Sequence, residues 1–164
     1  MKIRLTFAAT LVSLFACAPL LPAQEPVTGA PNPDALFHDK NKKLDAEKQV
    51  AYHIMLDLLE CNHWNQASNW LTNEYIQHNP NVVSGLAPVV KFFGNNPNRP
   101  PKASCTKLET TKVVAVLADG DLVTVVTPRT YKDSKGQPYT STWFDMWRIK
   151  NGKADEHWDN ALKQ

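Results

Sequence analysis

The chain has 164 residues, of which 43% are hydrophobic, and it carries 18 Lys and Arg against 16 Asp and Glu. This length is enough for one domain with a buried core once a targeting segment is set aside. The small net charge and the lack of basic runs argue against nucleic acid as a partner, because phosphate binding needs clustered Lys and Arg.

The first 23 residues have the pattern of an export signal. Lys2 and Arg4 form a short basic region, and an apolar run follows that is too short to span a bilayer. Pro19 and Pro22 end this run, and the small Ala23 is our preferred cleavage point. We therefore expect an exported protein, periplasmic or extracellular, that is formally neutral once the two basic residues are removed.

A lipoprotein is the alternative form of export. Residues 14–17 (LFAC) resemble a bacterial lipobox in which Cys17 is the lipidated residue, although Phe15 is bulky for that motif. We rank this alternative below simple cleavage.

Residues 24–44 are predicted to be a disordered tether. Their first part, QEPVTGAPNPDA, holds three prolines and almost no large apolar side chains, a composition typical of linkers. The folded domain is then predicted to cover residues 45–164.

Three helices are predicted in the first half of this domain. Apolar residues 51, 54, 55, 58 and 59 follow the spacing of one helix face, and residues 64, 67 and 71 repeat it in a shorter second helix. The stretch NEYIQHNP, residues 73–80, is expected to end this helical part. A third helix is predicted over Leu86–Phe93, with Ser84 as its cap.

The second half of the domain has the composition of strands. Residues 106–118, 122–132, 139–150 and 153–162 are predicted strands joined by short turns. Such connections are too short for crossovers, so the strands should form a curved antiparallel meander of four. Helices followed by strands give an α+β domain, with the helices packed on the concave side of the sheet.

Two cysteines, Cys61 and Cys105, remain after export. In an oxidising compartment they are either a disulfide or two separate buried thiols, and the sequence leaves both open. Their spacing fits neither a zinc site nor a redox motif, so no metal is predicted.

Two stretches of the chain resemble the SnoaL-like family. YIQHNP (residues 75–80), followed by Gly85, Phe92 and Phe93, is similar to the front signature of that family. FDMWRIKNGKADEHWD (residues 144–159) is similar to its closing hairpin, and the resemblance covers residues 45–161. It implies the nuclear transport factor 2-like (NTF2-like) fold, a cone of helices wrapped by a bent sheet around a pocket.

The resemblance also implies chemistry without metal or organic cofactor. Characterised SnoaL-like members include polyketide cyclases that carry out an intramolecular aldol condensation, and the same fold hosts isomerases, dehydratases and plain binding proteins. The fold therefore supports a pocket more strongly than any single reaction.

The register of the closing hairpin decides which residues face the pocket. If Asn151-Gly152 is a two-residue loop, Lys150 pairs with Lys153 and Asp145 stands opposite Trp158. If a bulge lies in the loop, Ile149 pairs with Lys153 and Asp145 stands opposite His157. Because paired lysines repel, we predict the bulged register.

This register predicts the candidate site. Asp145 and His157 would form a proton-transfer pair inside the cone, with a purely structural Asp–His hydrogen bond as the alternative. The predicted ligand-binding residues around the pair are Tyr75, His78, Trp143, Trp147 and Asp159.

Two functions are compatible with such a site. One is cofactor-independent acid–base chemistry of aldol, isomerase or dehydratase type on a small hydrophobic carbonyl compound. The other is binding of a small apolar ligand without turnover. On either hypothesis the outer sheet face, with Phe144, Met146 and Trp158, is expected to pair two copies into a homodimer.

Overall fold

The computed structural model of the protein describes residues 25–94 and 96–164. The predicted export signal, its cleavage point after Ala23 and the lipobox at Cys17 lie outside the described residues. None of the described helices is long and apolar enough to cross a membrane.

The helices form one layer of an α+β domain. Helix α1 spans Lys42–His53, and the side chain of Asn41 caps it by accepting hydrogen bonds from the backbone N–H groups of Lys43 and Leu44. The chain continues as one π-helical segment over Ile54–Glu60, whose apolar face is buried. A 3₁₀ segment follows at Trp64–Asn69, and helix α2 spans Leu86–Gly94.

The sheet has five strands rather than the predicted four. They are β1 (Leu71–Gln77), β2 (Ala115–Asp119), β3 (Leu122–Lys132), β4 (Pro138–Lys150) and β5 (Lys153–Asp159). Their order is β1-β5-β4-β3-β2, and neighbouring strands are antiparallel except for β1 and β5. The α+β class is confirmed, with the sheet open and curved.

Strand β1 corrects the prediction for the second helix. Trp64 and Ala67 are buried on the 3₁₀ segment as the helical spacing requires, but Leu71 already belongs to β1 and pairs with Ala154. Ser84 does not cap α2; its hydroxyl accepts a hydrogen bond from the backbone of Gln77 at 3.0 Å. This contact fastens the loop before α2 to the new strand.

The predicted tether is packed against the domain. Phe37 is fully buried, Val27 donates a backbone hydrogen bond to the Thr140 hydroxyl at 2.7 Å, and the Asp34 carboxylate accepts one from Leu108 at 3.1 Å. A disordered segment cannot hold such contacts, so the described residues before position 45 are ordered. Phe37 is the residue from which this order could have been predicted, because burial of an aromatic ring can offset the entropy lost when the chain is ordered.

The first predicted strand is shortened to β2, and the residues before it form a loop anchored on a buried carboxylate. Glu60 is 3% exposed and accepts hydrogen bonds from Lys102, Thr110 and Thr111. Burial alone would raise the pKa of Glu60, but these hydrogen bonds outweigh it and lower the pKa to about 2. Cys61 and Cys105 form a disulfide beside this anchor, with Cα atoms 6.1 Å apart.

The closing hairpin has the two-residue loop, so the prediction of a bulge in the loop is wrong. The bulge lies further along β5. Lys150 pairs with Lys153 across a two-residue loop in which Asn151 and Gly152 both have positive φ, as a type I′ turn requires. Repulsion between the lysines is relieved because Lys153 donates to the Ser68 carbonyl at 2.6 Å and Lys150 approaches the Asp155 carboxylate at 3.4 Å.

A bulge at Asp155 then restores the predicted faces. Ile149 pairs with Ala154 but Arg148 pairs with Glu156, so β5 contains one extra residue at this point. As a result Asp145 stands opposite Asp159, and Trp147 opposite His157. The predicted opposition of Asp145 and His157 is wrong, yet both residues still share the concave face.

Candidate functional site

A cavity of about 280 Å³ lies between the helices and the concave face of the sheet. Its apolar wall comes from the helical half of the domain and includes Ile54, Leu58, Trp64, Val89, Phe92 and Phe93. Its polar wall comes from the strands and includes Gln77, Arg129, Trp143, Asp145, His157 and Asp159. An apolar chamber with a few convergent polar groups is the usual form of a small-molecule site.

Strand alternation explains why these polar groups converge. Trp143, Asp145 and Trp147 are alternate residues of β4 and therefore project from the same face of the sheet. His157 and Asp159 do the same on β5, beyond the bulge. The sequence thus places charged groups on the buried face, where each needs a partner to offset its desolvation.

Asp145 and His157 are in direct contact. The Nε2 atom of His157 lies 3.1 Å from Oδ1 of Asp145, although the two residues are diagonal rather than opposite across the strands. The exposed fractions are 9% for Asp145 and 6% for His157. The predicted pair is therefore present, buried and at hydrogen-bond distance.

Gln77 holds the other side of the imidazole ring and was missed by sequence reasoning. Its Oε1 atom lies 2.6 Å from Nδ1 of His157 and also accepts the backbone N–H of Asn79 at 3.1 Å. The second contact identifies Oε1 as an oxygen, because a backbone N–H can only donate. Both ring nitrogens of His157 therefore face oxygen atoms of the protein.

Asp145 has one oxygen engaged and one free. Its Oδ1 atom accepts a hydrogen bond from Trp143 Nε1 at 3.1 Å in addition to the contact with His157. Within residues 25–94 and 96–164, Oδ2 has no hydrogen-bond partner. Since Asp145 lines the cavity, Oδ2 is the oxygen that is left for a ligand.

Tyr75 supplies a neutral hydroxyl to the same cavity. Its oxygen accepts a hydrogen bond from Trp147 Nε1 at 3.0 Å, and no described group accepts its own proton. Burial, together with the nearby Asp145 and Asp159 carboxylates, raises the pKa of Tyr75 far above its ordinary value. The phenol therefore stays protonated and can donate a hydrogen bond to a ligand.

Asp159 completes the polar wall. Its carboxylate accepts hydrogen bonds from the Asn79 side chain at 2.7 Å and from the Ala161 backbone at 3.0 Å. One ligand atom each from Asp145, His157 and Asp159 lie within 4.8 Å of one another, so these are the described residues that could hold a metal ion. The distance of 3.1 Å between Asp145 and His157 is also that of a direct hydrogen bond, which needs no metal ion.

His78 lies away from the cavity, unlike the other predicted ligand-binding residues. Its ring stacks on Trp158 with centroids 5.1 Å apart, and its Nε2 atom is 2.8 Å from the Glu156 carboxylate. His78 follows β1 on the outer side of the sheet, where Glu156 also bonds to Arg148. Tyr75, Trp143, Trp147 and Asp159 do line the cavity.

Fold and site together define a class, a small pocket protein with a cone of helices against a bent sheet and a buried Asp–His pair. The family model of the SnoaL-like domain matches residues 54–157 of the chain. The protein therefore belongs to the SnoaL-like family of the NTF2-like superfamily. No curated protein matches the chain.

Solved structures agree on the fold. A candidate polyketide cyclase from Acidithiobacillus ferrooxidans is similar with a TM-score of 0.52 and 12% identity, over 70% of this chain and 86% of the other. An NTF2-like protein of unknown function from Burkholderia pseudomallei gives 0.51 and 14%, over 71% and 91%. An LEH-like epoxide hydrolase from M. tuberculosis gives 0.50 and 11%, over 70% and 80%. At these identities the likeness defines the fold alone.

Proposed function

We propose that the protein is an exported SnoaL-like enzyme that carries out cofactor-independent acid–base chemistry on a small hydrophobic carbonyl compound. The observation that carries this proposal is the free Oδ2 atom of Asp145 beside a largely apolar cavity. Asp145 lines this cavity and no described group donates to Oδ2, so a proton of a bound ligand can reach that oxygen.

The geometry supports a division of roles. Asp145 acts as the general base through Oδ2, because both nitrogens of His157 are already engaged by Asp145 and Gln77. His157 is a positioning residue that holds the carboxylate by its engaged oxygen. Tyr75 acts as the donor to the carbonyl oxygen.

These groups suffice for a balanced proton transfer. Asp145 takes a proton from the carbon next to the carbonyl, and the electron pair of that C–H bond forms an enolate. The Tyr75 hydroxyl stabilises the enolate oxygen by a hydrogen bond. Return of the proton from Asp145 to carbon gives exchange or isomerisation. Attack of the enolate carbon on a second carbonyl forms the C–C bond, and transfer of the proton from Asp145 to the resulting alkoxide gives an aldol.

Exchange of α-protons for deuterium tests the proposal without knowledge of the natural substrate. A panel of small aryl and alkyl ketones is incubated with the protein in D₂O and followed by proton NMR. The proposal predicts protein-dependent loss of the α-proton signal for at least one ketone that binds. Ketones that bind without exchange would instead identify a ligand-binding protein, the second candidate, for which the apolar cavity wall alone is sufficient.

Export is the second part of the proposal. The Cys61–Cys105 disulfide is compatible with an oxidising compartment. The basic and apolar residues of the predicted export signal, residues 1–23, also support export. Mass spectrometry of the secreted or periplasmic protein should find Gln24 at the N-terminus. A diacylated Cys17 would assign the protein to the lipoproteins, and an intact Met1 in the cytoplasm would exclude export.

We also propose a homodimer through the outer face of the sheet. Phe144 is 45% exposed there and Leu117 61%. The cross-strand register places Leu117, Thr124, Met146 and Trp158 in one row on this face. Exposed apolar side chains in a contiguous patch favour a partner surface. Light scattering should give the mass of two chains, and Phe144→Lys should reduce it to one.

A further inference from the structure

Arg129 is the only described cation on the cavity wall that has no acidic partner. It lies on β3 two residues beyond Thr127, pairs with Ser141, and lines the cavity. Its guanidinium carbon stands 3.4 Å from the ring centroid of Trp143. Within the part of the chain that the structure describes, no carboxylate forms an ion pair with it.

Arg148 shows the difference. That arginine binds Asp121 through two hydrogen bonds of 2.9 and 3.0 Å and Glu156 through a third of 3.0 Å. Its Nε and Nη1 donors are therefore engaged by carboxylates on the outer face of the sheet. Arg129 stacks face-on against an indole, which leaves the N–H groups at the edge of its guanidinium free.

The charges of the cavity wall restrict where an anionic ligand group can lie. Asp145 and Asp159 are carboxylates, so an acid group placed beside them would be repelled. Arg129 is exposed and so offers its charge at the solvent-facing part of the wall. A planar guanidinium with free edge donors matches the geometry of a carboxylate, which it binds through two parallel hydrogen bonds.

We propose that Arg129 is the acid-binding residue of the cavity, and that the ligand is an amphipathic oxo acid. Its carboxylate binds Arg129 and its carbonyl lies between Asp145 and Tyr75. The apolar body packs on the wall formed by Ile54, Leu58 and Val89. The cavity of about 280 Å³ is just below the range of about 300–1,000 Å³ for ligand sites, so the acid is small.

Trp143 links this contact to the proposed chemistry. The same indole that carries Arg129 on its face donates its Nε1–H to Oδ1 of Asp145. A ligand held at Arg129 would therefore lie on the part of the cavity wall that also carries the Asp145 carboxylate. This inference rests on the proposed function for the position of the carbonyl, and on Arg129 alone for the acid group.

Isothermal titration calorimetry with 3-benzoylpropanoate and 3-benzoylpropanamide tests the inference, because these ketones differ only in the acid group. The protein should bind the acid about 10-fold or more tightly than the amide. Arg129→Gln should abolish this preference by lowering the affinity for the acid to that for the amide. Lys132→Gln removes an exposed cation from the same strand outside the cavity and should retain the preference.

A salt titration of the unmodified protein gives a second measurement that does not depend on a variant. Affinity for the acid should fall as NaCl is raised, while affinity for the amide stays constant. Equal affinities, binding of neither ketone, or a preference that survives Arg129→Gln would each overturn the inference. Because the readout is binding, a protein that prefers the acid but exchanges no α-protons would refute the proposed function and keep this inference.

Discussion

Two buried carboxylates of this protein are used in opposite ways. Glu60 accepts hydrogen bonds at both oxygens, from the Thr110 hydroxyl at 2.8 Å, the Thr111 backbone at 2.8 Å and Lys102, and it lies outside the cavity wall. Asp145 is engaged at one oxygen only and lines the cavity. Glu60 anchors a loop, whereas Asp145 has one oxygen, Oδ2, to which no described residue donates a hydrogen bond.

The difference separates stability from function on physical grounds. A saturated buried carboxylate contributes to the fold because its desolvation is offset by every available donor. Asp145 instead lines a cavity with one oxygen that no described group donates to, so that oxygen is available to a ligand. Substitutions at the two sites should therefore separate into losses of stability and losses of turnover.

The largest expected effect is on stability, from removal of the disulfide beside Glu60. Cys61→Ser combined with Cys105→Ser frees a loop of 44 residues in sequence separation and should lower the free energy of unfolding by about 3–4 kcal/mol in the chain-entropy model. Urea unfolding measures the loss. Titration of the denatured, unreduced protein should find no reactive thiol at either position, and two thiols per chain would contradict the bridge.

Glu60→Gln should cost about 2–3 kcal/mol, because Lys102, Thr110 and Thr111 lose a charged acceptor inside the protein. The matched control is Glu109→Gln, an exposed neighbour that should change stability by less than about 0.5 kcal/mol. Equal losses of stability in the two variants would show that Glu60 does not anchor the loop.

The same carboxylate should make the fold sensitive to acid. The folded pKa of Glu60 is about 2, below its ordinary value of 4.5, so the unfolded chain takes up the proton first as the pH falls. Its contribution is present above pH 4.5 and is lost between there and about pH 2. Unfolding free energies measured across this window should fall more steeply for the unmodified protein than for Glu60→Gln.

Tyr75→Phe should affect both turnover and folding. Removal of the donor to the carbonyl oxygen should slow α-proton exchange by about 10–100-fold. The buried Trp147 Nε1–H also loses its acceptor, which should cost about 1–3 kcal/mol of stability. Tyr139→Phe, an exposed tyrosine at 44%, is the control and should leave exchange unchanged. An unchanged exchange rate in Tyr75→Phe would show that another group donates to the carbonyl oxygen.

The smallest expected effect is that of chelation. Dialysis against EDTA should leave exchange unchanged, because side chains supply both the base and the donor. If activity disappeared and a divalent ion restored it, Asp145, His157 and Asp159 would have to be reassigned as metal ligands.

The face of each strand could be predicted from the sequence, but the register could not. Alternation along β4 places Asp145, Trp143 and Trp147 on one face whatever their partners. The pairing depended on a bulge at Asp155 and on an acceptor for Lys153, the Ser68 carbonyl, that lies in a distant segment. Local charge repulsion between two lysines was therefore a poor guide to the turn.

Long-range contacts account for the remaining errors. Strand β1 pairs with β5 across about 80 residues, which a helical spacing over 64–71 does not reveal. Gln77 was missed and His78 was preferred because the sequence did not reveal that β1 ends at Gln77, beside His157. The anchor at Glu60 also depends on partners 42 to 51 residues away.

Exchange of α-protons in Asp145→Asn and Glu60→Gln, measured side by side with thermal melts, tests the central claim most directly. We predict that Asp145→Asn loses exchange by about 100-fold or more, that His157→Ala adds little to this loss because the pair acts as a unit, and that Glu60→Gln melts earlier but exchanges normally while folded. Normal exchange in Asp145→Asn, or lost exchange in folded Glu60→Gln, would contradict the assignment of chemistry to the unsaturated carboxylate.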